Sequence, residues 1–259
     1  MKKYVFSFLL TLLLMGTSQV GSAAQDAWDQ ATDDALVYAV HGVPGLDIGE
    51  AADLPVDVYI NGVLKIANLK YGQIKGPIKV TPGNVTAAVY KAGIGPGTGN
   101  FPIMEQDFNF QKYENATVVG YLPPRFPAVL PKLVKFTNDL SPAGHTSKCR
   151  VIIHNTSEED MLGYWFYNNA PQYDYHPEMG SDVLDPEDKN SFEAAKKSLI
   201  GNETFSMWLE IVVGWENWQT VYDKPLGLST GRAILVYLVG STSTKTFKVI
   251  KKLVKLKVN

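Results

Sequence analysis

Residues 56–66 read Val56-Asp57-Val58-Tyr59-Ile60-Asn61-Gly62-Val63-Leu64-Lys65-Ile66. Two runs rich in β-branched and aromatic residues flank Asn61-Gly62. That dipeptide tolerates positive φ at both central positions of a type I′ turn, so the stretch predicts a β-hairpin. Runs of the same kind recur at Val37–Val40, Thr86–Tyr90 and Thr117–Leu122, punctuated by Gly, Pro, Asn and Asp, with Pro82-Gly83 as a further turn. Many short strands at turn-marked intervals predict an all-β sandwich or barrel. Helical periodicity is convincing only in Ser191–Leu199, where Ser191 is placed to cap Phe192-Glu193-Ala194-Ala195-Lys196-Lys197.

The chain repeats itself. Val40-His41-Gly42 returns as Ile153-His154-Asn155, and Asp57–Asn61 as Tyr164–Asn168. Thr86–Tyr90 returns as Ser206–Glu210, Val119–Leu122 as Leu235–Leu238, and Lys132-Leu133-Val134-Lys135 as Lys252-Leu253-Val254-Lys255. Five matches in one order mean two copies of one β-unit of about 112 residues. That size predicts two tandem immunoglobulin-like β-sandwiches, with a short helical insertion in the second. The expected divisions are a leader at 1–24, an acidic spacer at 25–35, and repeats at 36–139 and 148–259. Leu133–Thr137 and Phe247–Val258 then become the closing strands. In Val254–Val258 apolar residues alternate with Lys255 and Lys257, a pattern that also guards an edge strand against aggregation.

Composition narrows the function classes. Apolar residues are 45% and charged residues 19% of the 259, which excludes disorder, collagen and coiled coil. One Cys excludes a disulfide framework and a Cys-based zinc cluster, and Cys149 before a β-branched run reads as a buried or half-buried thiol. A net charge of −2 argues against a nucleic-acid partner. Lys2 and Lys3, the apolar Tyr4–Met15 and Ser22-Ala23-Ala24 have the form of a cleaved signal peptide, predicting export to periplasm or exterior. No later run is long enough for a transmembrane helix. The mature chain carries 22 basic and 26 acidic residues, a charge of −4. Six of the basic ones are Lys in the last 15 residues, leaving −10 on the rest.

At its repeats the sequence resembles the tandem-repeat family called domain of unknown function 4397, of exported bacterial and archaeal proteins. The resemblance is carried by Val40-His41-Gly42-Val43-Pro44, Val56–Gly62, Leu69-Lys70-Tyr71-Gly72, Pro82–Val89, Asp139-Leu140-Ser141-Pro142 and Arg150–His154. It is strong over about 36–156 and weak beyond, where the second unit lacks the Val-Asp-Val-Tyr and Tyr-Gly motifs. It implies an extracytoplasmic β-sandwich and nothing about activity.

Four constellations invite chemistry. His41 and His154 read as equivalent strand-end residues, each either a ligand or base, or a packed ring hydrogen-bonded to local backbone. The stretch 170–190 concentrates Asp174, His176, Glu178, Asp182, Asp185, Glu187 and Asp188, either a solvated acidic loop or a calcium site without EF-hand spacing. Trp208 and Trp165 read as core, whereas Trp215 and Trp218 in a loop after Gly214 are the glycan-stacking candidates. Gly93–Gly99 fits no phosphate-loop pattern and reads as a hairpin loop. Asn84, Asn115, Asn155 and Asn202 stand in N-x-S/T sequons. No cofactor is expected. The chain reads as a non-catalytic scaffold or binding module of the cell envelope, meeting an envelope protein or polysaccharide. The alternatives are a glycan-binding module using Trp215 and Trp218, and a hydrolase using carboxylates of 174–188.

Overall fold

The computed structural model describes residues 33–124, 130–142, 148–159, 162–168, 178–184, 187, 189–195, 197–200, 203–214 and 219–257. The leader reading at 1–24 and the first part of the spacer lie outside these residues.

The first repeat forms eight strands: β1 Ala35–Gly42, β2 Val56–Ile60, β3 Val63–Leu69, β4 Ile74–Val80, β5 Gly83–Lys91, β6 Met104–Phe110, β7 Asn115–Tyr121 and β8 Lys132–Thr137. The second forms nine: β9 Lys148–Ser157, β10 Leu162–Asn168, β11 Glu178–Leu184, β12 Lys189–Ala195, β13 Lys197–Ile200, β14 Glu203–Val213, β15 Gln219–Pro225, β16 Arg232–Gly240 and β17 Lys248–Lys255. The predicted hairpin is β2–β3, with Asn61 at φ 49° and Gly62 at φ 76°, both positive as a type I′ turn requires.

Each repeat builds two sheets. In the first the orders are β4-β1-β7-β8 and β3-β2-β5-β6. In the second, β12-β9-β16-β17 and β11-β10-β14-β13, with β15 also paired to β14, reproduce them with β13 added. The parallel pair β1/β7 is matched by the parallel pair β9/β16. All five sequence matches therefore hold at the level of elements. The sandwich expectation holds in its coarse form, and the strand order corrects the finer one. In the immunoglobulin arrangement the first strand lies at an edge of its sheet. Here β1 and β9 lie inside, each between an antiparallel and a parallel partner.

The helical insertion is also corrected. Residues 189–195 form β12, paired antiparallel with β9 from Lys189↔His154 to Ala195↔Lys148, and residues 197–200 form β13 against β14. Helix propensity in Glu193-Ala194-Ala195 is worth only tenths of a kcal/mol per residue, and a seven-residue ladder completing a sheet overrides it. Among the described residues the helical content is one 3₁₀ turn, Gly45–Ile48.

The two sandwiches pack face to face. The four-stranded sheets holding β1 and β9 stack on each other, so the layers run outer sheet, inner sheet, inner sheet, outer sheet. Two cores fill the sandwiches, one around Val37, Val58, Val89 and Phe110, the other around Val151, Leu209, Ile211 and Val236. A third lies between the inner sheets and joins Tyr38, Val40, Val119, Tyr121 and Phe136 of the first repeat to Ile152, Leu235, Tyr237 and Val239 of the second. Burial on both faces explains why β1, β7 and β16 read as continuous apolar runs instead of alternating. Lys-bearing β8 and β17 stand at sheet edges, as does β4, which carries Pro77.

Candidate functional site

The seam between the inner sheets holds several of the polar groups that the fold buries deeply. Thr117 on β7, Asn138 after β8, and His154 and Tyr237 on β9 and β16 are almost wholly inaccessible. Tyr237 Oη donates to Thr117 Oγ1 across the seam at 2.6 Å. Asn138 Nδ2 donates to the same Oγ1 at 3.0 Å and to Asn115 Oδ1 at 2.8 Å. Each polar group sits mid-strand or just beyond a strand end, so the ladder that aligns β7 with β8 and β16 with β9 also sets the network. Burial pushes the Tyr237 hydroxyl far up, which keeps it a donor at any ordinary pH.

At the rim, ion pairs bridge the repeats. Tyr121 Oη and Lys132 Nζ of the first both reach Glu187 of the second. Burial raises the Glu187 carboxyl, but the bonds from Lys132 and Tyr121 outweigh it and hold it below the usual range. Arg150 reaches Asp139 at 2.9 Å and the carbonyls of Asp139 and Ser141 at 3.0 Å, tying β9 to the connection that precedes it. Glu114 is likewise committed: burial raises its carboxyl, and Thr137, the Gln111 N–H and Lys135 pull it below the usual range. At the opposite end, Tyr71 Oη donates to the Thr246 carbonyl and Lys248 Nζ lies 4.2 Å from the Tyr71 ring. A cleft of ≈ 330 Å³ opens at the rim, lined by Glu114, Asn138, Asp139, Lys189 and Lys257 among others.

The two histidines are not equivalent. His41 points into the first sandwich, where Nε2 lies 2.9 Å from the Leu54 carbonyl and Nδ1 accepts the Val43 N–H at 3.4 Å. A carbonyl accepts only, so Nε2 carries the proton and the ring is neutral. Burial pushes His41 down to about 4, the Leu54 carbonyl opposes this and Lys248 adds to it. His154 faces the seam instead, its ring 4.8 Å from Tyr237 and nearly parallel to it, and 4.3 Å from Phe136. Neither of its nitrogens has a hydrogen-bond partner among the described residues. Burial, with Lys189 beside it, pushes it down to about 3. The motif match is therefore one residue out of register with the pleat: Val40 faces the seam, whereas Ile153 faces its own sandwich core. A shift of one residue exchanges faces. The expected backbone bond exists for His41 and not for His154, which lies inside β9 and not at a strand end.

Trp215 and Trp218 lie outside the described residues, as do Asp174, His176, Asp185 and Asp188. Glu178 and Asp182 fall on β11, and Glu187 is spent in the ion pairs above. Among the described residues no three of His, Cys, Asp and Glu gather where they could hold a metal ion. Cys149 is buried in the second sandwich core, as expected. Asn84 is exposed, whereas the sequon residues Asn115 and Asn155 are buried and closed to modification. No helix among the described residues is long and apolar enough to cross a membrane. The seam network escaped the sequence because Thr117 and Tyr237 sit inside apolar runs; a polar atom recurring in such runs of both copies is its one local sign.

Residues 35–159 match the family described as domain of unknown function (DUF4397). No curated protein matches the chain in sequence. Among solved structures the chain is similar to a proposed cell adhesion protein of Bacteroides uniformis, at 11% identity over 88% of this chain and 100% of that one, TM-score 0.24. A proposed cell adhesion protein of Bacteroides ovatus follows at 9% identity, 89% and 100% coverage and TM-score 0.20. A structure described as a trapped toxin is 12% identical over 68% of this chain, which spans 40% of its length, with TM-score 0.25. At scores this low nothing about this chain's binding follows from them.

Proposed function

We propose, from the match of residues 35–159 to the family described as domain of unknown function (DUF4397), that the protein is an exported, non-catalytic β-sandwich binding module of the cell envelope. One observation carries the reading: the inner sheets of both repeats are consumed by the seam, which leaves outer sheets and end loops to meet a partner. The buried histidines and the paired carboxylates support it. His41 and His154 are held neutral, and Glu114 and Glu187 are held ionised by fixed partners. A general acid or base needs a pKa near the working pH. The outer sheet of the first repeat is polar, with Thr86 bonded to Asp107 and Asn109 to Asn84, a surface suited to a hydrogen-bonding envelope protein or polysaccharide.

Retention of the full chain on native envelope fractions tests this. Saturable retention is expected, and it weakens in a variant with the outer-face Asn84, Thr86 and Asp107 replaced by Lys while the melting temperature holds. Turnover of an envelope polysaccharide that is lost in Asp182→Asn would overturn the reading in favour of a hydrolase.

A further inference from the structure

We infer that His154 makes the seam acid-sensitive: its protonation drives the two sandwiches apart while each keeps its sheets. The ring is fully buried between Phe136 of the first repeat and Tyr237 of the second. An imidazolium carries two N–H donors and needs two acceptors, yet neither nitrogen has a partner among the described residues.

Beyond the faces of the Phe136 and Tyr237 rings, the polar side chains around it are already paired or positively charged. On its own strand, Arg150 is engaged with Asp139 and Ser141. On β12, Lys189 stands opposite His154 in register and repels it. On β16, the Tyr237 hydroxyl is given to Thr117. On β7, the Tyr121 hydroxyl is given to Glu187. On β8, Phe136 is apolar, Lys132 is paired with Glu187, and Lys135 with Glu114. Glu187, whose backbone N–H bonds the Asn155 carbonyl next to His154, is thus already committed to Lys132 and Tyr121.

Because the ring lies between sheets, parting them hydrates it without breaking a ladder hydrogen bond of β9. Unfolding the second sandwich hydrates it only at the loss of those bonds, so the seam is the cheaper exit. At about pH 3.5, a ring that titrates near its usual ~6.5 when exposed and about 3 when buried biases opening on the order of 10³-fold. Protonation of Asp139 and Glu187 at such pH loosens the same seam, and a variant neutral at position 154 separates the contributions. The inference does not depend on what the outer faces bind.

The full chain is titrated from about pH 7 to about 3.5, following size by small-angle scattering, strand content by far-UV circular dichroism and the His154 imidazole by NMR. The expected result is expansion with strand signal retained, the imidazole titrating along the same curve. His154→Phe, which keeps the aromatic packing, lowers the expansion midpoint by about one pH unit. If Phe is not accommodated, His154→Gln gives the same comparison, and the imidazole curve needs no variant. Absence of expansion, loss of strand signal in step with it, or an unchanged midpoint in the neutral variant overturns the inference.

Discussion

The hydrogen bond from Tyr237 to Thr117 joins residues 120 apart in sequence and on different repeats, so it tests the seam directly. Tyr237→Phe removes the donor. Thr117 Oγ1 keeps the bond from Asn138 Nδ2, so the loss is one net buried hydrogen bond, about 1 kcal/mol. Thr117→Val costs more, about 2 kcal/mol, because it leaves the Tyr237 hydroxyl buried with only Asn138 Oδ1 at a marginal 3.5 Å. In the double variant the orphaned hydroxyl is gone, and the expected total is about 2 kcal/mol where simple addition predicts about 3. Urea unfolding of the four proteins measures the cycle, with the midpoint read at constant slope. Additivity within about 0.3 kcal/mol, the behaviour of residues not in contact, would refute the face-to-face packing of the inner sheets.

Three further outcomes are expected. Burial lowers His41 to about 4, so the unfolded chain binds the extra proton and stability falls as pH drops below about 6.5; at pH 5 the His41 share of the loss is about 2 kcal/mol, and His41→Gln removes that share and leaves the similar one from His154 when urea curves at pH 8 and 5 are compared. Gly240→Ala loses well over 1 kcal/mol, because φ is +74° and an added Cβ would sit 2.2 Å from Tyr71 Oη and 2.6 Å from the Thr246 carbonyl. Gly62→Ala, with φ +76° and open space around it, costs about 1 kcal/mol, and equal melting temperatures for the two would contradict the close approach. Phe101, 85% exposed in the loop between β5 and β6, is replaceable by Ser within about 0.5 kcal/mol by thermal unfolding; a larger loss would place that ring in a core.

Much of the architecture was legible one strand at a time. Asn61-Gly62 named its turn, the Lys-Leu-Val-Lys pairs named closing strands, and Cys149 named its burial, because each depends on neighbours within a few residues. Ser191–Leu199 misled for the same reason. Its local preference is helical, while its partner strand β9 lies some 40 residues away in sequence. The candidate site was less legible: the aromatic and acidic residues singled out by composition fall mostly beyond the described residues, and the polar seam was not foreseen.

The amino-acid order alone thus determined that the chain is β-rich, duplicated and closed by Lys-bearing edge strands, since period, turn chemistry and self-similarity are local properties. Only the tertiary structure decided that β1 and β9 lie inside their sheets, and that the two sandwiches fuse through a third core. It also decided that two histidines in one motif face opposite ways. A continuous apolar run has the same pattern whatever covers its two faces, and one residue of register turns every side chain of a strand to the other side.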